Sequence, residues 1–176
     1  MTIDIYAADE QHDHDISLER WVALADAALS DEGVRGLCEV SLIFLDEPAI
    51  AALNQQFMGR SGPTDVLSFP IDTEPEPTGR VPDAGGTGPG EPAQPEIPQL
   101  IGDIVICPAV AARNSLEHEC SLDDELALLV VHGVLHLLDY DHAEPADAER
   151  MRRREAELLT RFAEGEAAER APDVHD

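Results

Sequence analysis

VVHGVLHLLDYDH, residues 130–142, sets three histidines and two aspartates among side chains that are otherwise mostly apolar. Just upstream, Ser121 followed three residues later by Asp124 has the pattern of a capping box, and Asp123, Asp124 and Glu125 suit the positive end of a helix dipole. From Leu126 to Leu138 the chain is apolar nearly all the way round a helix, which marks a central helix rather than a surface one. Polar side chains on such a helix need a reason. His132 and His136 are i and i+4, so both imidazoles leave one face a turn apart, where two nitrogens can bind one cation. His142 can join them if the helix stops near residue 139 and the chain folds back. Position 139 then calls for a left-handed conformation; glycine is the usual choice, and Asp139 is one of the few alternatives that tolerate it. The competing reading is a core helix whose histidines are satisfied internally. A third histidine beyond a helix-ending turn favours the metal site.

Outward from this helix the sequence alternates strands and helices. Residues 2–7, TIDIYA, alternate as a half-buried strand does. A helix follows, with Trp21, Leu24, Ala25, Ala28 and Leu29 on one face, Ser17 as its cap and Gly33 beyond its end. CEVSLIFLD is the next strand, EPAIAALNQQF a short helix with Pro48 in its first turn, and DVLSFPID a third strand. Residues 73–98 are a low-complexity stretch rich in Pro, Gly and Glu with scarcely any apolar side chain, so they read as a mobile surface loop. LIGDIVICP is a buried strand and AVAARNSLEH a helix; the last two helices are expected at Leu122–Leu138 and Pro145–Glu164. The order β-α-β-α-β-β-α-α-α predicts an α+β fold with one mixed sheet of about four strands, built around the histidine-bearing helix. One domain over residues 1–165 is expected, with a flexible tail at 166–176.

Composition bounds the function without naming it. Against 37 acidic residues there are 11 basic ones, all arginine, for a net charge of −26. Two explanations stand, a salty cytoplasm and a genome rich in Arg, Ala, Gly and Asp codons. Either way such a surface repels a polyanion, so any nucleic-acid contact must be focused. Cys38, Cys107 and Cys120 have no paired spacing and read as reduced, buried thiols. The N-terminal residues lack the features of a signal peptide, and no stretch approaches the roughly twenty apolar residues of a membrane span. The expectation is a soluble, cytoplasmic protein with no membrane partner.

The spacing HxxxHxxxxxH is that of the metzincin zinc peptidases, HExxHxxGxxH, with two letters changed. Gly133 stands where those peptidases have their general-base glutamate, and Asp139 stands at the turn glycine. The ligand set survives, but peptide hydrolysis does not follow.

HGVLHLLDYDH resembles the HGxLHLxGYDH signature of the YbeY family of bacterial metal-dependent endoribonucleases and ribosomal RNA maturation factors. LNQQFMGRSGPTDVLSFPID, IGDIVIC and ERMRRREAELL resemble further family segments in the same order, over about Leu42–Leu159 apart from the loop. The resemblance implies one zinc ion on His132, His136 and His142 in a cleft between helix and sheet. It also implies hydrolysis of single-stranded RNA, a role in forming the 3′ end of the small-subunit (16S) ribosomal RNA, and ribosome quality control. Partners so implied are ribosomal RNA, the small subunit and a ribosome-associated GTPase.

The chain departs from the family where an arginine assigned to substrate phosphate would stand. That position is Met58, and Arg60 two residues on is the candidate replacement. Asp103 is a further catalytic candidate at a strand end, with a helix cap as its bland reading. Thr64 and Ser68 are candidate substrate contacts, although Thr64 and Asp65 could equally form turn hydrogen bonds. Asp141 is a candidate partner for an imidazole N–H, or a turn carboxylate facing water. Arg150, Arg152, Arg153 and Arg154 read as a solvated helix face, with Arg153 paired to Glu149 and Glu157. His12, His14, His118 and His175 have no partner spacing and read as surface residues. The competing functions are a non-catalytic assembly factor with a structural zinc and a metal hydrolase acting on something other than RNA.

Overall fold

The computed structural model describes residues 3–71, 98–140 and 142–170. In chain order its elements are β1 (Ile3–Asp9), α1 (Leu18–Asp31), β2 (Cys38–Phe44), α2 (Glu47–Met58), β3 (Val66–Pro70), β4 (Gln99–Ile106), α3 (Pro108–Glu117), α4 (Leu122–Leu137) and α5 (Pro145–Arg170). The fold is α+β around one mixed sheet in the order β1-β2-β4-β3. β1, β2 and β4 run parallel, and β3 closes the edge antiparallel to β4. α5 extends six residues past the end expected at Glu164. The expected loop at 73–98, apart from Pro98, lies outside the described residues, as does the tail beyond Arg170.

Alternation along the strands sorts side chains to two faces. Val40, Leu42 and Phe44 of β2 and Ile104 and Ile106 of β4 face the main core with Trp21, Leu24 and Leu29 of α1 and Val130, Val131, Val134 and Leu135 of α4. Met151 and Leu158 bring α5 into the same cluster. α4 packs on α1, α3, α5, β3 and β4, so it occupies the centre that its all-round apolar sequence predicts. The opposite face is covered in part by α2, whose Ile50 packs with Leu67 and Val105.

Two glycines set how closely α4 approaches the sheet. A Cβ on Gly133 would lie 2.7 Å from Cγ2 of Ile104, and one on Gly102 would lie 2.4 Å from the carbonyl oxygen of Phe69 and 2.7 Å from Cδ2 of Leu137. Gly102 also follows a register irregularity between β2 and β4 and has φ +151°. A side chain at Gly133 would push the helix off the sheet, and one at Gly102 would part β3 from β4 as well as crowd Leu137.

Candidate metal centre

α4 begins with the capping box expected from its sequence. The Ser121 hydroxyl accepts from the Asp124 N–H at 3.0 Å, and the Asp124 carboxylate accepts from the Ser121 N–H at 3.4 Å. Its other end is closed by a left-handed residue. Asp139 has φ +68°, its N–H donates to the carbonyl of His136 at 3.2 Å, and the Tyr140 N–H donates to that of Leu135 at 3.0 Å. These two bonds make a Schellman motif, which satisfies carbonyls of the last turn and turns the chain back across the helix end. His142 is delivered by this bend.

The three imidazoles converge. One nitrogen from each of His132, His136 and His142 lies within 4.8 Å of the other two, and ring centroids are 4.4, 5.1 and 6.0 Å apart. Nε2 of His136 is 2.9 Å from Nε2 of His132. Tetrahedral zinc with bonds near 2.0–2.1 Å needs donor nitrogens about 3.3 Å apart, so small ring movements would complete the coordination. A group that sequence reading missed fixes the orientation of one ring. Nδ1 of His132 is 2.6 Å from Oε1 of Glu155, which is 8% exposed on α5. The carboxylate accepts, so Nδ1 carries the proton, and in the neutral ring the lone pair is left on Nε2, facing His136. The donor set therefore fits a divalent ion, with His132 and His136 offering Nε2. The sequence signal for Glu155 was its place between Met151 and Leu158, a carboxylate within the one buried stripe of an otherwise polar helix.

The histidines line a cleft of about 420 Å³ together with Met58, Asp65, Val66, Leu67, Ser68 and Pro70. Ser68 faces it from β3 and its hydroxyl donates to the Gly133 carbonyl at 3.5 Å. Thr64 donates to Oδ1 of Asp65 at 3.3 Å; that oxygen also accepts from the Val66 N–H, while Oδ2 accepts from Asn114. Arg60 is exposed just beyond Gly59, which caps α2 with φ +64°. Its side chain does not line the cleft; Met58 does. Asp103 is not brought to the histidines. It pairs in register with Ser41 and Phe69 on the sheet face away from α4, where it lines a separate pocket with Asp4, Tyr6 and Glu39. Asp141 and His175 lie outside the described residues.

Other sequence readings change in detail. Arg153 pairs with Glu149 at 3.2 Å as expected, but Glu157 is taken by Arg154 at 2.8 Å. Arg154 also turns inward to the Glu32 carboxylate, whose other oxygen accepts from the Tyr140 hydroxyl at 2.9 Å. Burial pushes the Tyr140 pKa up, and the bond to Glu32 adds to the shift. His118 is exposed but partnered, with Nδ1 2.9 Å from the buried Glu125. The three cysteines are free, Cys38 and Cys107 buried as expected and Cys120 only half-buried. Among the described residues no helix is long and apolar enough to cross a membrane.

Sheet, central helix and convergent imidazoles define an α+β protein with a three-histidine centre that could hold a metal ion. The family model described as Endoribonuclease YbeY matches residues 6–163, and the chain belongs to the YbeY family. It is 46% identical over 146 residues to Endoribonuclease YbeY of Salinispora tropica, covering 82% of this chain and 87% of that one. With Endoribonuclease YbeY of Mycolicibacterium vanbaalenii it shares 42% identity over 159 residues, 90% of this chain and 79% of the other. The solution structure of TM1509 from Thermotoga maritima is similar with a TM-score of 0.53 at 25% identity, covering 99% of this chain and 100% of that one. Family membership supports an RNA-cleaving hydrolase.

Proposed function

We propose that this protein is a zinc-dependent endoribonuclease of single-stranded RNA, acting in 3′-end maturation of the small-subunit ribosomal RNA and in ribosome quality control. Its partners in that role are the small subunit and a ribosome-associated GTPase. One observation carries the reading: three imidazoles within 4.8 Å of one another open onto a cleft rather than into the core. A divalent ion held by neutral imidazoles keeps its full charge and would supply Lewis-acid activation of water and of a phosphoryl oxygen.

The chain's own groups do the rest. Glu155 holds His132 in the tautomer that turns Nε2 toward the cleft. Arg60, exposed two residues beyond the cleft-lining Met58, brings a guanidinium to a substrate phosphate. Ser68 in the lining and Thr64 at the head of β3 contact the sugar–phosphate chain. With a net charge of −26 the remaining surface repels RNA, which confines binding to strands threaded into the cleft.

The test is incubation of metal-quantified protein with single-stranded RNA, beside a chelator control and His136→Ala. Zinc-loaded wild type is expected to cut, and both controls to lose at least about 100-fold in rate, since losing a ligand exceeds the effect of losing its supporting partner. If stoichiometric zinc is bound and no RNA is cut, the assembly factor with a structural zinc replaces this reading.

A further inference from the structure

We infer that α5 is the positioning element of the histidine centre, through Glu155 on the ring of His132 and through an Arg154–Glu32–Tyr140 clamp on the bend that delivers His142. The inference rests on the metal-binding reading above. α4 by itself presents only two of the three imidazoles. The third depends on where the chain goes after Leu138, and Asp139 holds a left-handed conformation that L-residues disfavour. The Schellman bonds to α4 fix the turn at Asp139 itself, and the path of the chain beyond it is held from outside α4.

Neighbouring residues of α5 supply the holds. Glu155, buried between Met151 and Leu158, has His132 as its side-chain partner among the described residues. A carboxylate placed in an apolar stripe is costly unless it is paired, so its presence calls for the imidazole N–H it accepts. One residue earlier, Arg154 turns to Glu32 at the end of α1; Nη2 donates to the Asp31 carbonyl at 3.2 Å and Nη1 to Glu157 at 2.8 Å. Glu32, with a side chain 10% exposed, then takes the Tyr140 hydroxyl on its second oxygen. One helical turn before Arg154, the Arg150 guanidinium lies over the Tyr140 ring, 5.3 Å from its centroid. Tyr140 thus has Arg150 on its face and Glu32 at its tip, two residues before His142. Because α5 contacts the centre in both places, ion binding and α5 docking must stabilise each other.

The experiment measures the affinity of the full chain for Zn2+ by competition with a chromophoric chelator, and the visible absorption spectrum of the Co2+ form. Variants are Glu155→Gln, Tyr140→Phe and, as a control outside the clamp, Ser121→Ala. Glu155→Gln is expected to weaken Zn2+ binding about 10- to 100-fold. Tyr140→Phe, which loses one hydrogen bond, is expected to weaken it about 2- to 10-fold. Both should alter the Co2+ spectrum, while Ser121→Ala leaves affinity and spectrum unchanged. Wild-type affinity and spectrum in both Glu155→Gln and Tyr140→Phe would overturn the positioning role and leave the metal reading intact; so would equal losses in all three variants, because that marks general destabilisation. A wild-type protein that binds no Zn2+ overturns the metal reading itself. If Glu155→Gln fails to fold, Tyr140→Phe carries the same decision.

Discussion

At its first turn α4 is closed by its neighbours in sequence: the Ser121–Asp124 capping box, and Glu125 held by His118 seven residues away. Toward its other end the backbone is again closed locally, by the Schellman bonds of Asp139 and Tyr140, but the side-chain partners are distant, with Glu155 23 residues beyond His132 and Glu32 108 residues before Tyr140. A helix start needs only its free N–H groups satisfied, which short local contacts do. An end that must aim three imidazoles at one point needs its rotamers and its exit path held, and other elements of the fold provide that. The distinction explains why Gly133 belongs to the functional end. Its missing side chain lets the helix lie against Ile104, and a glutamate there would point at the sheet rather than into the cleft.

Gly133→Glu should therefore give the largest effect on the side of α4 that carries the centre. The new Cβ meets Ile104, and the carboxylate is buried without a partner. We expect a loss of about 3 kcal/mol or more, read as a lowered urea midpoint. A midpoint equal to that of the wild type would show that α4 has slack against the sheet, contrary to the close approach described above. Asp139→Gly should act in the other direction and less strongly. It relieves a positive φ in an L-residue and is expected to stabilise by about 0.5–1 kcal/mol, less than the full strain because glycine is freer when unfolded. That corresponds to a rise in Tm of roughly 1–4 °C by calorimetry. A lower Tm would mean that the Asp139 carboxylate contributes more than the strain it carries.

The same contrast separates what was legible in the sequence from what was not. Strand alternation, the capping box, the HxxxH pair and the need for a bend at Asp139 are local patterns, and each can be read within a dozen residues. Asp103 was misplaced for a physical reason. LIGDIVIC is apolar almost throughout, and the register irregularity before Val40 removes the simple parity by which a face could be counted. Arg154 sat in a run of four arginines whose sequence reads as solvated. Only the docking of α5 against α1 singles it out. Glu155 could have been found, because a carboxylate in the stripe of Met151 and Leu158 breaks the rule for buried helix faces.

The smallest effect belongs to the local end. The side-chain bond to Glu125 raises the pKa of His118 above its ordinary 6.5, and the carboxylate's charge adds to the shift. The folded state thus binds the proton more tightly than the unfolded state does. The resulting stability is fully present below about pH 6.5 and is lost as pH rises through the higher folded value. Unfolding of wild type and His118→Gln, compared at intervals between about pH 5.5 and pH 9, should show the gap between them narrowing over that window. Zinc affinity measured at one fixed pH should be the same in both, because His118 stands at the end of α4 remote from the three ligands. A gap that stays constant with pH would mean that His118 contributes through packing and not through its charge. A change in zinc affinity would join the two ends of α4, which the present contacts keep apart.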